Sequence, residues 1–185
     1  MNSEEKPDVS ASTTAPPLSE ILDTQAKVES QVGEIYINFA TAFGQNTDLR
    51  TLWGAMALEE GGHAALLRAV NKGLLSGVFQ AKSFLLPYDV LDALVTRVAD
   101  YHRQTTENLS LDNALRITWE LECSELDFMR ELLVSSSNLA DLGFPTNVES
   151  KDKHLGRLRE VIQQYTTDES LRREVKFLSA ERFPR

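Results

Sequence analysis

From Leu18 onward, apolar residues recur at steps of three and four, the spacing of one helical face. A first helix is predicted from Ser19 to Phe43, with Ser19 as its N-cap and a stripe of Leu22, Ala26, Glu29, Val32, Tyr36, Phe39 and Phe43. Gly44 ends it, and Asn46 or Thr47 caps the next. The second helix, Asp48 to Lys72, has the inner row Trp53, Met56, Glu60, His63, Leu67 and Val70. A connection containing Gly73, Gly77 and Pro87 leads to a shorter amphipathic helix from Tyr88 to Thr106, with Leu91, Leu94, Val95 and Val98 on one side. Ser110 caps a third long helix, Leu111 to Ser135, whose inner row reads Leu111, Leu115, Thr118, Glu122, Leu126, Met129 and Leu133. Gly143 and Pro145 mark a loop before a fourth long helix, Asn147 to Tyr165, and a terminal helix is predicted from Asp168 to Leu178. No stretch alternates as a strand would. The pattern predicts an all-α chain: a four-helix bundle with one crossover and an extra helix in the second-to-third connection. Residues 1–17 lack any period and are rich in Pro, Ser and Thr. They read as a disordered tail before a single domain over 18–185.

Three of the inward positions are glutamates: Glu29, Glu60 and Glu122. Glutamate is almost never fully buried unless it is paired or bound to a metal. Each lies near the middle of a different long helix, and a bundle brings mid-helix positions together. His63 follows Glu60 by three residues, so both point the same way. That spacing offers a carboxylate and an imidazole to one ion. Gly61 and Gly62 lie between them, although a mid-helix glycine costs roughly 1 kcal/mol relative to alanine. The pair would let another helix or a partner subunit approach closely, or would only relieve crowding in the bundle.

Composition narrows the function classes. The 185 residues carry a formal charge of -9, which argues against general affinity for nucleic acid or anionic membranes. No apolar run nears the roughly 20 residues needed to span a bilayer, and the N-terminus has no basic start followed by an apolar stretch. A cytoplasmic location is the expectation. Cys123 is the single cysteine, which excludes an internal disulfide and a four-cysteine metal centre. It lies about 100° around the helix from Glu122 and reads as a packed small hydrophobe. Tyr36, Trp53 and Trp119 read as core, and Glu59 and His102 as surface residues.

KVESQVGEIYINFATAF followed by DLRTLWGAMALEEGGHAALL resembles the first half of a rubrerythrin-type domain of the ferritin-like superfamily. The likeness lies in Glu29 seven residues before Tyr36, then the Glu-x-x-His of Glu60 and His63. ALRITWELECSELDFM is similar to the third helix of such a domain, with Glu122 at the ligand position, and DKHLGRL to the fourth, with His154 as its histidine. The resemblance covers about residues 18 to 165 and implies two iron or manganese ions between the helices. Glu60 would bridge, Glu29 and His63 would hold one ion, and Glu122 and His154 the other. The chain departs from this pattern where a glutamate is expected three residues before His154, at Lys151. Three carboxylates and one ammonium balance a single divalent ion. Glu125, three residues after Glu122, restores the missing carboxylate if it turns inward.

Two readings follow. In the first, the chain is a ferritin-like metalloprotein binding non-haem iron, as one or two ions, or manganese. The resemblance then implies oxygen or peroxide chemistry, an external electron donor in the absence of a rubredoxin centre, and a homodimer. In the second, it is a non-catalytic helical interaction protein in which Lys151 closes a degenerate site.

Overall fold

The computed structural model describes residues 16–78, 87–107, 109–135 and 149–182, with the side chains of 125–135, 149–154 and 177–182 outside that description. Six helices make up its regular structure: α1 (Leu18–Ala42), α2 (Thr47–Leu75), α3 (Tyr88–Gln104), α4 (Leu111–Ser135), α5 (Glu149–Tyr165) and α6 (Glu169–Arg182). The described residues form no strand, so the expected all-α class holds. None of these helices is long and apolar enough to cross a membrane. The predicted tail, except Pro16 and Pro17, lies outside the described residues.

Helix ends differ from expectation by a few residues, for local reasons. Pro17, not Ser19, precedes α1: at φ -63° and ψ 147° it is extended, and its carbonyl accepts from the amides of Glu20 and Ile21. Asn46 caps α2 by accepting from the amides of Asp48 and Leu49. Ser110 accepts from the amide of Asn113 at 3.1 Å, as a helix cap should. Asp168 is the cap of α6 and not its first residue, accepting from Ser170 and Leu171.

The short turn from Phe43 to Asn46 folds α1 and α2 into an antiparallel pair, the most extensive helix contact in the structure. The predicted stripe of α1 is buried, with Phe43 half-buried. The helix is also buried on a second face, at Ile21, Val28 and Ile35, because α3 packs on it as well as α2. The larger apolar cluster joins Val32, Tyr36, Phe39, Trp53 and Met56 to Leu115 and Trp119 of α4, Leu158 and Ile162 of α5, and Leu171 and Val175 of α6. Phe39 and Trp53 meet with ring centroids 5.2 Å apart, and Trp53 Nε1 donates to Thr118 Oγ1 at 2.9 Å. A separate, smaller cluster holds Leu22, Ala26, Leu67 and Val70.

At the other end, Asp112 on the first turn of α4 holds the α5–α6 connection. It accepts from the hydroxyls of Thr166 and Thr167 and from the amides of Thr167 and Asp168. Arg116, one turn on, pairs with Asp168. The two threonine hydroxyls hold the Asp112 carboxyl below its ordinary value of 3.8, and the Arg116 guanidinium lowers that of Asp168.

Gly61 and Gly62 are exposed, and among the described residues nothing lies within 4 Å of where their Cβ atoms would sit, outside their own helix backbone. Among the described residues, no helix approaches this pair. Gly33 of α1 faces α2, its Cβ position in ordinary contact at 3.5 Å with the Ala57 carbonyl and Glu60 Cβ.

Gly61→Ala and Gly62→Ala are each expected to raise the free energy of unfolding by roughly 1 kcal/mol in urea titrations, through helix propensity alone. A loss of stability in either variant would show that something packs onto this face. Asp112→Ala is expected to lower stability by about 1–2 kcal/mol at neutral pH. Because the folded-state value of Asp112 is depressed, its contribution is complete above the ordinary value of 3.8 and fades as pH falls through the lowered one. The difference between native and variant stability should shrink accordingly, read by urea denaturation at pH 7 and in strong acid.

Candidate metal centre

The antiparallel α1–α2 pair brings one polar layer into an otherwise apolar interface. On α1, Glu29 lies between Ala26 and Val32; on α2, Glu60 and His63 lie between Met56 and Leu67. Ala26 and Leu67 belong to the smaller cluster, and Val32 and Met56 to the larger. The layer thus separates the two apolar clusters. Glu29 is 1% exposed and Glu60 3%, while the His63 side chain keeps 30% of its surface. The buried carboxylates therefore have one imidazole on their solvent side.

The three residues converge. His63 Nδ1 lies 2.9 Å from Glu60 Oε2 and 3.6 Å from Glu29 Oε2. One donor atom from each residue lies within 4.8 Å of the other two. Glu29 Oε2 is buried and accepts no hydrogen bond. Such an atom carries a desolvation penalty of about 1–3 kcal/mol that no hydrogen bond offsets.

These residues fit a divalent cation. Donor atoms held about 2.1 Å from one ion are about 3 Å apart at a right angle and about 3.4 Å apart at the tetrahedral angle. The separations of 2.9 and 3.6 Å fall near those values. Two carboxylates and a neutral imidazole balance the charge of a divalent ion and are the donors that iron(II) and manganese(II) accept. The orphaned Glu29 oxygen would gain the partner it lacks.

Glu122 is placed differently. Half-buried on α4, it accepts a hydrogen bond on Oε1 from the hydroxyl of the fully buried Tyr36 at 2.9 Å. It does not join the cluster of Glu29, Glu60 and His63. The inner-row pattern placed Tyr36 in the core and Glu122 on the inward face of α4, but not their bond. The signal was available, since a buried tyrosine hydroxyl needs a polar partner and Tyr36 lies two turns from Glu29 on the same stripe. Glu125 on α4 and Lys151 and His154 on α5 have side chains outside the described residues.

The other polar residues singled out take structural places. Trp53 and Trp119 are buried, and Trp119 Nε1 donates to Glu174 Oε1 at 3.0 Å. Cys123 is half-buried against the larger cluster. His102 is half-exposed, with Nε2 3.3 Å from Glu34 Oε2. Glu59 is half-buried beside Glu60. Tyr101, at the end of α3, donates to Glu120; partial burial and that carboxylate push its phenol up to about 12.

No protein-family model, curated protein or solved structure matches the chain.

Glu29→Gln keeps the shape of the side chain and removes a buried charge. In the presence of chelator it is expected to raise stability by about 1 kcal/mol, because an uncompensated buried carboxylate is lost. Chemical denaturation in EDTA measures this, and a marked loss of stability would mean that Glu29 already has a compensating partner without metal.

Proposed function

We propose that the chain is a ferritin-like metalloprotein of rubrerythrin type, a four-helix bundle of α1, α2, α4 and α5 with α3 as the extra helix. It binds non-haem iron, or manganese, between its helices. The observation that carries this reading is the convergence of Glu29, Glu60 and His63 around a buried carboxylate oxygen that accepts no hydrogen bond. The chain tolerates the cost of that layer because the bound cation offsets it.

In this reading Glu29 and Glu60 supply the charge that neutralises the ion, and His63 supplies a neutral donor and orients Glu60. The buried side of the layer excludes water, and the His63 side is where an ion enters. Bound iron would supply one-electron chemistry toward oxygen or peroxide, with electrons from an external donor. The working form is a homodimer.

Iron(II), added anaerobically, or manganese(II) should raise Tm, and EDTA should reverse the rise. At one hundred times Kd the stabilisation is about 2.7 kcal/mol, or about 5–10 °C for a chain of this size. Glu60→Gln and His63→Ala should abolish the rise while the helical circular dichroism is kept. Ferrous oxidation followed by absorbance then tests the redox half of the reading. Tm indifferent to both metals would overturn the reading and favour an interaction protein with a closed site.

A further inference from the structure

We propose that a second copy of the chain docks in the groove between the outer edges of α1 and α2, with Leu58 and Ile37 as its anchors. The proposal rests on the homodimer of the reading above and gives that dimer its face; it does not depend on the metal.

The groove has a volume of about 590 Å³ and is open to solvent. Ile37 and Ala40 of α1 and Gly54, Ala57 and Leu58 of α2 give it an apolar lining, and Arg50 is the charged residue among the described ones that line it. Leu58 is 80% exposed and Ile37 56%. A single exposed leucine is ordinary, but here two large apolar side chains share one concave face. An enclosed pocket would hold a small molecule, whereas an open trough leaves much of such a ligand in water. The trough suits the convex surface of a folded partner.

Shape selects a second copy as that partner. Gly54 precedes Leu58 by four residues, so the two are neighbours on one face of α2. Among the described residues, nothing lies within 4 Å of where a Gly54 Cβ would sit, outside its own helix backbone. The patch thus carries a protrusion and a recess one turn apart. A two-fold axis crossing α2 between them sets Leu58 of each copy into the recess at the partner subunit's Gly54. A closed dimer needs a self-complementary patch of this kind.

Charge points the same way. Two copies of a chain with a formal charge of -9 repel across most approaches. The described lining of the groove holds no acid, and the next exposed positions of α2, Gly61, Gly62 and Ala65, are uncharged as well. Repulsion is therefore weakest at this face. Arg50 adds a positive charge that favours an acidic body, which a second copy is.

Sedimentation velocity of the full chain, from low to high micromolar concentration, tests this. The native protein should sediment as a dimer. Leu58→Glu and Gly54→Leu should each weaken dimerisation by about 100-fold or more, because each change enters a two-fold contact twice. Leu58 is exposed and the Gly54 position is open, so both variants should keep their helical circular dichroism. Val90→Glu, at a 49% exposed position on α3, should change the dimerisation constant by less than about threefold, as a surface change away from a contact does. A native dimer that either groove variant leaves intact, or that Val90→Glu disrupts instead, would overturn this face and leave the homodimer standing. A monomeric native chain would remove the homodimer and its face together, while the metal half of the reading is judged by its own Tm response.

Discussion

Glu29 and Glu60 face each other across the α1–α2 interface at 1% and 3% exposure, in a layer where neighbouring turns are apolar. Taking a carboxylate out of water costs several kcal/mol unless something compensates it. His63 compensates in part, through a 2.9 Å hydrogen bond to Glu60 and a longer approach to Glu29. The geometry around the layer follows from that arrangement. Gly33 of α1 packs beside Glu60, and His63 sits at the solvent edge of the two buried acids.

Much of this was legible in the chain itself. Helical periodicity put Glu29 on the α1 stripe and Glu60 and His63 on the α2 row, and burial of the two glutamates follows from those positions. The core aromatics Tyr36 and Trp53 were legible for the same reason, whereas Trp119 lies off the row predicted for α4. Periodicity reports which face a residue occupies, and at three of these positions the face decided the environment.

What periodicity does not encode is direction within the interior. The Tyr36–Glu122 bond depends on how far apart α1 and α4 lie and on which rotamers meet, and neither is written in a one-dimensional pattern. The second buried face of α1 was missed because α3 covers it, and a stripe read along one helix does not report how many neighbours that helix has. Helix ends moved by a few residues where backbone chemistry outranked side-chain preference, as at Pro17, or where the cap lay one position away, as at Asp168. The sequence leaves close approach and relief of crowding both open at Gly61 and Gly62, and among the described residues no helix approaches that pair.

The break between the two apolar clusters bears on how the pair comes apart. Leu22, Ala26, Leu67 and Val70 share a small core of their own at the end of the hairpin away from its turn. Its ties across the helices include the exposed bond from the Arg68 guanidinium to Ser30 Oγ and the half-buried one from the Asn71 amide to the Ser19 carbonyl. A layer of buried charge transmits little packing cooperativity, so this end is expected to open as a unit of its own, its amides exchanging before those of the aromatic end. A cation seated in the layer would act as a rivet between the two cores, and the hairpin would then open as one body.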